Sequence, residues 1–240
     1  MTSLQVIAFD ADDTLWHNER LYVEAQAKLV QVLDHYHSPE LIGERLYQAE
    51  TRNIQLYGYG IKAFALSMIE TALNLSEGRI PGKDMQALID QTRAMLSADI
   101  QLFAHTAEVI PLLASRYPLV LITKGDLFEQ EGKIKRSGFG SYFQHIEILS
   151  HKTPASYEQV FKRYSVEPAR FMMVGNSLRS DILPILELGG QAVYIPCDLT
   201  WTHETADPPP ADRPGYYQLE HLGQLPALLE QLEQQGNDTL

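Results

Sequence analysis

Short, nearly unbroken apolar runs recur along the chain and are separated by longer amphipathic segments. Runs without alternation are typical of strands that are buried on both faces of a parallel sheet. Alternating strands and helices predict an α/β fold with a doubly wound, Rossmann-like parallel sheet. The predicted strands are Val6–Phe9, Leu119–Ile122, His145–Leu149, Phe171–Val174 and Ala192–Ile195. The helices predicted between and after them are Thr106–Arg116, Leu127–Ser137, Ala155–Ser165, Asp181–Leu188 and about Leu222 to Gln235.

The pattern changes between about residues 17 and 100, where no apolar run predicts a strand. Four amphipathic helices are expected there, over Glu19–His37, Ser38 to about Leu56, Ile61–Leu75 and Lys83–Leu96. We therefore expect two domains. Residues 1–16 and 101–240 would form the α/β domain, and residues 17–100 would form a small helical bundle inserted after the first strand.

Composition adds limits on partners and location. The chain has 240 residues, 45% of them hydrophobic, which is ordinary for a globular protein. A net charge of −12 disfavours unspecific binding to nucleic acid or to anionic membranes. No apolar run approaches the roughly 20 residues of a membrane-spanning helix, and the first residues lack a signal-peptide pattern. A soluble, cytoplasmic protein is expected.

Polar side chains follow the predicted strands, at the sheet edge where open α/β proteins bind their ligands. Such residues suit phosphoryl transfer. One carboxylate can act as nucleophile and a second as general acid/base, while a hydroxyl and an ammonium group can bind the phosphoryl oxygens. A hard divalent cation would stabilise the clustered carboxylates. Each residue alone has an ordinary explanation as a turn or capping residue. The candidates are Asp10, Asp12 and Asp13, then Thr123 and Lys124, then Lys152, and finally Asn176 and Asp181.

The chain contains four short motifs in this order: Asp10-x-Asp12-Asp13-Thr14, Thr123, Lys152-x-Pro154 and Gly175-Asn-Ser-x-x-x-Asp181. They resemble, in the same order, the four motifs of the haloacid dehalogenase-like (HAD) superfamily. The resemblance spans roughly Val6 to Ile195, and the helical insert resembles the cap of the superfamily's first cap class. It implies a Rossmann-like HAD core with a helical cap domain.

The resemblance also implies a role for each motif residue. Asp10 would be the nucleophile and Asp12 the general acid/base. Thr123, Lys124 and Lys152 are the candidates for binding the phosphoryl group. Mg²⁺ would be held by Asp10, the backbone carbonyl of Asp12, and the fourth-motif pair Asn176 and Asp181.

Two positions depart from the family pattern. Asn176 replaces a common aspartate, so we expect weaker metal binding or more reliance on Asp181. Asp13 replaces a common glycine, which we expect to be tolerated. The family's hydrolytic dehalogenases generally lack an aspartate at the position of Asp12, because a leaving halide needs no proton.

The expected function is Mg²⁺-dependent hydrolysis of phosphate monoesters through a phosphoaspartyl intermediate at Asp10. A phosphomutase, a haloacid dehalogenase and a catalytically silent phospho-ligand-binding relative remain alternatives. The expected partner is a small phosphorylated metabolite, with no nucleic acid or membrane, and the chain would be a monomer or homodimer.

Substrate contacts are expected from the cap, where glycines and aromatic residues cluster in Leu56-Tyr-Gly-Tyr-Gly-Ile-Lys62. Tyr57 and Tyr59 could stack on a substrate, and Lys62 could meet an anionic group. A helix–helix turn with packed tyrosines is the alternative.

Overall fold

A computed structural model describes residues 4–199 and 201–237. Its centre is one six-stranded, all-parallel sheet with the order β3-β2-β1-β4-β5-β6, which confirms the predicted fold class. The order reverses between β1 and β4, and ligands of such sheets bind beyond the strand ends at this point. The strands are β1 (Val6–Phe9), β2 (Leu119–Lys124), β3 (His145–Leu149), β4 (Phe171–Gly175), β5 (Gln191–Tyr194) and β6 (Tyr216–Gln218).

Nine α-helices accompany the sheet within the described residues. None of them is long and apolar enough to cross a membrane. They are α1 (Glu19–Leu33), α2 (Pro39–Tyr57), α3 (Ile61–Leu75), α4 (Gly82–Ser97), α5 (Thr106–Ala114), α6 (Leu127–Ser137), α7 (Pro154–Tyr164), α8 (Leu183–Glu187) and α9 (Leu225–Asn237).

Both faces of the sheet are buried, which explains why the strands lack polar alternation. Strand residues such as Phe9 and Leu121 share one core cluster with residues of α5 and α9. Neighbouring residues such as Ala8 and Ile122 point to the other face and share a cluster with residues of α7 and α8. The strands are therefore held from two sides, and their carboxyl ends are left to carry polar groups.

The chain divides into two compact units. The α/β unit comprises the described residues of Met1–His17, Ile100–Lys124 and Lys133–Leu240. The helical unit comprises Asn18–Asp99 and Gly125–Gly132, with α1 to α4 packed around a separate apolar core.

The predicted boundaries did not assign residues 125–132 to the helical bundle. Two contacts explain the difference. The Glu129 carboxylate accepts the backbone N–H of Ile61 at 2.8 Å, and the Lys62 ammonium lies 2.8 Å from Asp126 Oδ2. The first turn of α6 is thus tied to the first turn of α3, although about 65 residues separate them in the chain.

A helix predicted over Asp181–Leu188 forms differently. A wide π-helical turn runs from Leu178 to Ile182, and α8 continues from it. Pro184 has no N–H, so it cannot donate to the carbonyl of Ser180, four residues earlier. The buried Tyr157 hydroxyl donates to that carbonyl instead, at 3.0 Å. Proline and the wide turn together bring Asp181 to the end of β4.

Candidate active site

Asp10 lies directly after β1, and its backbone N–H donates to the Val174 carbonyl of β4 at 2.9 Å. Its carboxylate is buried. The ammonium of Lys152, also buried, donates to Asp10 Oδ1 and, at 2.7 Å, to Asp181 Oδ1. One lysine therefore bridges two carboxylates that come from different strand ends.

The pKa values of Asp10 and Lys152 depend on each other and on the charge of Asp181. Burial raises the pKa of Asp10 from 3.8 to about 7; Lys152 opposes this rise, and Asp181 adds to it. Burial alone would lower the pKa of Lys152, but Asp10 and Asp181 raise it above its ordinary value. The lysine thus keeps its proton, and further positive charge beside Asp10 would favour the ionised nucleophile.

Thr14 joins Asp10 to Asn176. Its hydroxyl lies 3.0 Å from Asp10 Oδ2 and 3.2 Å from Asn176 Oδ1, and it accepts the backbone N–H of Asn176 at 3.1 Å. A carboxylate oxygen and an amide oxygen are thereby held beside the same small group. The contact crosses from the loop after β1 to the end of β4.

Asp12 sits in a tight turn that folds back at Trp16. The N–H of Asp13 donates to the Trp16 carbonyl at 2.8 Å, and Asp13 has a left-handed backbone with φ 60°. Glycine adopts this conformation most easily and aspartate tolerates it, so the departure at Asp13 fits the turn. The Asp12 carboxylate accepts the Trp16 indole N–H at 2.8 Å and the Lys133 ammonium at 2.6 Å.

Gly175 is required by the packing of Asp181. A Cβ added to Gly175 would lie 2.6 Å from the Cβ of Asp181. Asp181 Oδ2 accepts the backbone N–H of Ser177 at 3.0 Å, and its Oδ1 accepts Lys152. Both oxygens of Asp181 are therefore engaged within the protein, and here Asp181 orients Lys152.

The two candidate phosphate-binding residues at the end of β2 differ in their surroundings. Thr123 is 1% exposed and lies in register with Ile148 of β3. The Lys124 ammonium pairs with Glu204 and lies 3.1 Å from Ser180 Oγ. Burial raises the pKa of Glu204, but the charge of Lys124 and hydrogen bonds from Lys124, Ser177 and Ser180 bring it below its ordinary value. Lys124 is thus held by an ion pair that the sequence did not predict.

The donor set near Asp10 fits a hard divalent cation such as Mg²⁺. The described residues contain no cluster of three or more His, Cys, Asp or Glu side chains suited to a metal. The candidate ligands are instead the Asp10 carboxylate, the Asp12 backbone carbonyl, the Asn176 amide oxygen and the carboxylate of Asp181, which here accepts from Lys152 and Ser177. These are all oxygens, which is what Mg²⁺ prefers, with water completing its shell.

The cap candidates Tyr57, Tyr59 and Lys62 lie in the helical unit, in and beside the turn between α2 and α3. Gly58 and Gly60 have φ values of 76° and 114°, so this turn needs both glycines. Tyr57 is exposed, whereas Lys62 is paired with Asp126. Their contact with a substrate stays a prediction.

Thr14, Lys133 and Glu204 are among the residues that contact the candidate site and were not predicted to belong to it. Thr14 stands in the first motif, so its place in the sequence was a usable signal. Lys133 and Glu204 reach Asp12 and Lys124 from 121 and 80 residues away in the chain. No local pattern marks such partners.

Comparison with known proteins identifies the family to which the chain belongs. The haloacid dehalogenase-like hydrolase family model matches residues 4–189. A curated relative, the 5-amino-6-(5-phospho-D-ribitylamino)uracil phosphatase YigB of Escherichia coli (strain K12), is 22% identical over 206 residues, covering 80% of this chain and 83% of its own.

Two solved structures show the same fold. The haloacid dehalogenase-like family hydrolase from Xanthomonas campestris is 37% identical with a TM-score of 0.87, over 99% of this chain and 95% of its own. The 2-haloacid dehalogenase from Pseudomonas syringae pv. Tomato DC3000 is 20% identical with a TM-score of 0.62, and the match covers 95% of this chain and 99% of that one. The family match and the 37% identity lead to one conclusion: the chain belongs to the haloacid dehalogenase-like hydrolase family.

Proposed function

We propose that this hydrolase cleaves phosphate monoesters of small organic molecules through a phosphoaspartyl intermediate at Asp10. The observation that carries the proposal is a pair of carboxylates with separate counter-ions. Asp10 is held by Lys152, and Asp12 is held by Lys133 and Trp16. One carboxylate can therefore act as nucleophile while the other handles protons.

In the first step an Asp10 oxygen attacks phosphorus, and the bond between phosphorus and the ester oxygen breaks. Asp12 donates a proton to that oxygen, so the product leaves as an alcohol. In the second step Asp12 takes a proton from water, whose oxygen attacks the phosphorus of the aspartyl phosphate. Inorganic phosphate leaves and Asp10 is regenerated.

The surrounding residues would bind the phosphoryl group. The Lys152 ammonium lies beside Asp10 and would hold a phosphoryl oxygen, and the Thr123 hydroxyl lies at the adjoining strand end. Mg²⁺, held by Asp10, the carbonyl of Asp12 and Asn176, would supply positive charge that lets an anionic nucleophile meet an anionic ester.

Asp12 also favours ester hydrolysis over dehalogenation. An alkoxide needs a proton as it leaves, and a halide does not. Asp12 stands two residues after the proposed nucleophile, and a carboxyl group there would supply that proton. The relative YigB is itself a phosphatase.

Asn176 favours a second candidate, a relative that binds phosphate compounds without cleaving them. Its amide oxygen brings no charge to the metal, so the bound cation would be less well neutralised and less tightly held. The intact residues Asp10, Asp12 and Lys152 argue against this candidate.

The test is hydrolysis of 4-nitrophenyl phosphate with and without Mg²⁺, by the wild type and by Asp10→Asn. We expect metal-dependent turnover that the substitution abolishes. Release of halide from 2-chloropropionate, measured in parallel, would indicate a dehalogenase instead. No turnover of any ester in a panel of alkyl and aryl phosphates would support the binding protein.

A further inference from the structure

Lys133 carries its ammonium from the second half of α6 to the carboxylate of Asp12. Nζ lies 2.6 Å from Asp12 Oδ2, and the two side chains are only 6% and 19% exposed. The next residue on the helix, Ile134, belongs to the same apolar core as Trp16, so α6 is anchored beside this pair. A pair shielded from water in this way holds its geometry better than an exposed one.

Trp16 binds the other oxygen of the same carboxylate. Its indole N–H donates to Asp12 Oδ1 at 2.8 Å, and its ring is buried. The turn that returns the chain at Trp16 is itself fixed by the bond from the N–H of Leu15 to the carbonyl of Ala11, at 2.8 Å. Two donors from two parts of the α/β unit thus hold the two oxygens of Asp12.

Lys133 is distinct from the lysine that serves the nucleophile. Lys152 bridges Asp10 and Asp181, whereas Lys133 pairs with Asp12. Each of the two carboxylates with a proposed chemical role therefore has its own ammonium group. Because each carboxylate has its own ammonium group, Lys133 has a specific relation to Asp12 and does more than neutralise the negative charge of Asp10, Asp12 and Asp181 together.

We propose that Lys133 and Trp16 are positioning residues that hold Asp12 where it exchanges protons with the leaving group and with water. The inference rests on the proposed function, because it concerns the acid/base step. Proton transfer depends on distance and angle, and a displacement of about 1 Å can cost on the order of 100-fold in rate. Neither residue touches the substrate in this scheme; both act through Asp12.

The experiment compares kcat/KM for two substrates with Mg²⁺ present: 4-nitrophenyl phosphate and the alkyl phosphate that the wild type cleaves best in a panel. Because 4-nitrophenolate leaves without a proton, only the alkyl ester needs Asp12 as an acid. We expect Lys133→Met to lose about 10- to 100-fold on the alkyl ester and less than about threefold on the aryl ester.

Lys135→Met is the matched control, since Lys135 is exposed two residues further along α6. It should leave both kcat/KM values unchanged. Trp16→Phe keeps an aromatic ring in the core but removes the N–H donor, and it should show the same selective loss on the alkyl ester. Equal losses on both esters, or no loss in either Lys133→Met or Trp16→Phe, would overturn the proposal.

A second readout does not need turnover. The chain has two tryptophans, Trp16 and Trp201, so a ¹⁵N spectrum contains two indole N–H signals, which Trp201→Phe assigns. Lys133→Met should shift the Trp16 signal, because releasing one Asp12 oxygen alters the hydrogen bond at the other, and Lys135→Met should not. An inactive wild type would contradict the proposed function alone, and an unchanged Trp16 signal would overturn the positioning pair.

Discussion

At the scale of single residues, Asn176 is the departure with the clearest physical consequence. The structure holds its side-chain oxygen beside Asp10 through the Thr14 hydroxyl, where a second carboxylate would face the first. An amide avoids repulsion between like charges when no cation is bound, but it attracts a cation less strongly. In the proposed metal site, Asn176 would therefore lower the affinity for the cation while sparing the cation-free site a repulsion between two carboxylates.

Asn176→Asp should bind Mg²⁺ about tenfold more tightly than the wild type, because the added carboxylate contributes charge to the ligand set. Isothermal titration calorimetry with MgCl₂ measures the affinity directly. Asn74→Asp adds the same charge at an exposed position of α3 and should leave the affinity unchanged. Equal or weaker binding by Asn176→Asp would remove Asn176 from the proposed metal ligands.

At the scale of elements, the beginning of α3 depends on a residue from another helix. Gly60 precedes α3 and has no side chain to cap it. The buried Glu129 of α6 accepts the N–H of Ile61 instead, where the positive end of the helix dipole also favours a carboxylate. A Cβ on Gly60 would lie 2.8 Å from Glu129 Oε2, so the close approach requires glycine.

Glu129→Ala should lower the free energy of unfolding by about 1–3 kcal/mol, because it leaves the N–H of Ile61 without its acceptor. Urea unfolding followed by circular dichroism measures this change. Glu131→Ala, on the exposed side of the same helix, should change stability by less than about 0.5 kcal/mol. Equal losses in the two variants would contradict the capping role.

At the scale of the whole molecule, stability against pH depends on groups whose pKa changes on folding. Burial raises the pKa of Glu50 from 4.5 to about 7. Between these values the folded chain binds more protons than the unfolded one, so the free energy of unfolding falls as pH rises. Glu204 has a lowered pKa and acts oppositely: its contribution is present above pH 4.5 and is lost as pH falls further.

Glu50→Gln should therefore raise the free energy of unfolding at pH 8 by about 1–3 kcal/mol, because no charge is then buried at this position. Near pH 4.5 the variant and the wild type should differ little, since Glu50 is largely neutral when folded. Urea unfolding at both pH values measures this, with the exposed Glu44→Gln of the same helix as control. A gain of equal size at both pH values would contradict the raised pKa.

Local sequence patterns were sufficient to predict the ends of an element when the core buries that element in the same way along its whole length. The ends of β1, β3, α3 and α6 were predicted to the residue, because an apolar run or stripe buried by the core ends where polar or turn residues begin. Strand β6 was missed, since it has three residues and only Tyr216 is buried. The helix predicted from Asp181 began earlier as a π-helical turn, because a side chain from α7 satisfied the carbonyl that Pro184 leaves open.

The sequence by itself determined the fold class and the motif residues of the candidate site. The spacing of apolar residues and the polar residues that follow each strand can both be read from the local sequence. Parallel strands then bring their carboxyl ends, with those polar residues, to one edge of the sheet. Only the tertiary structure decided the partners: Lys133 with Asp12, Lys124 with Glu204, and Glu129 with Ile61. The physical reason is that a buried charge or an uncapped helix end needs a partner in space, and any residue that the fold brings near can serve.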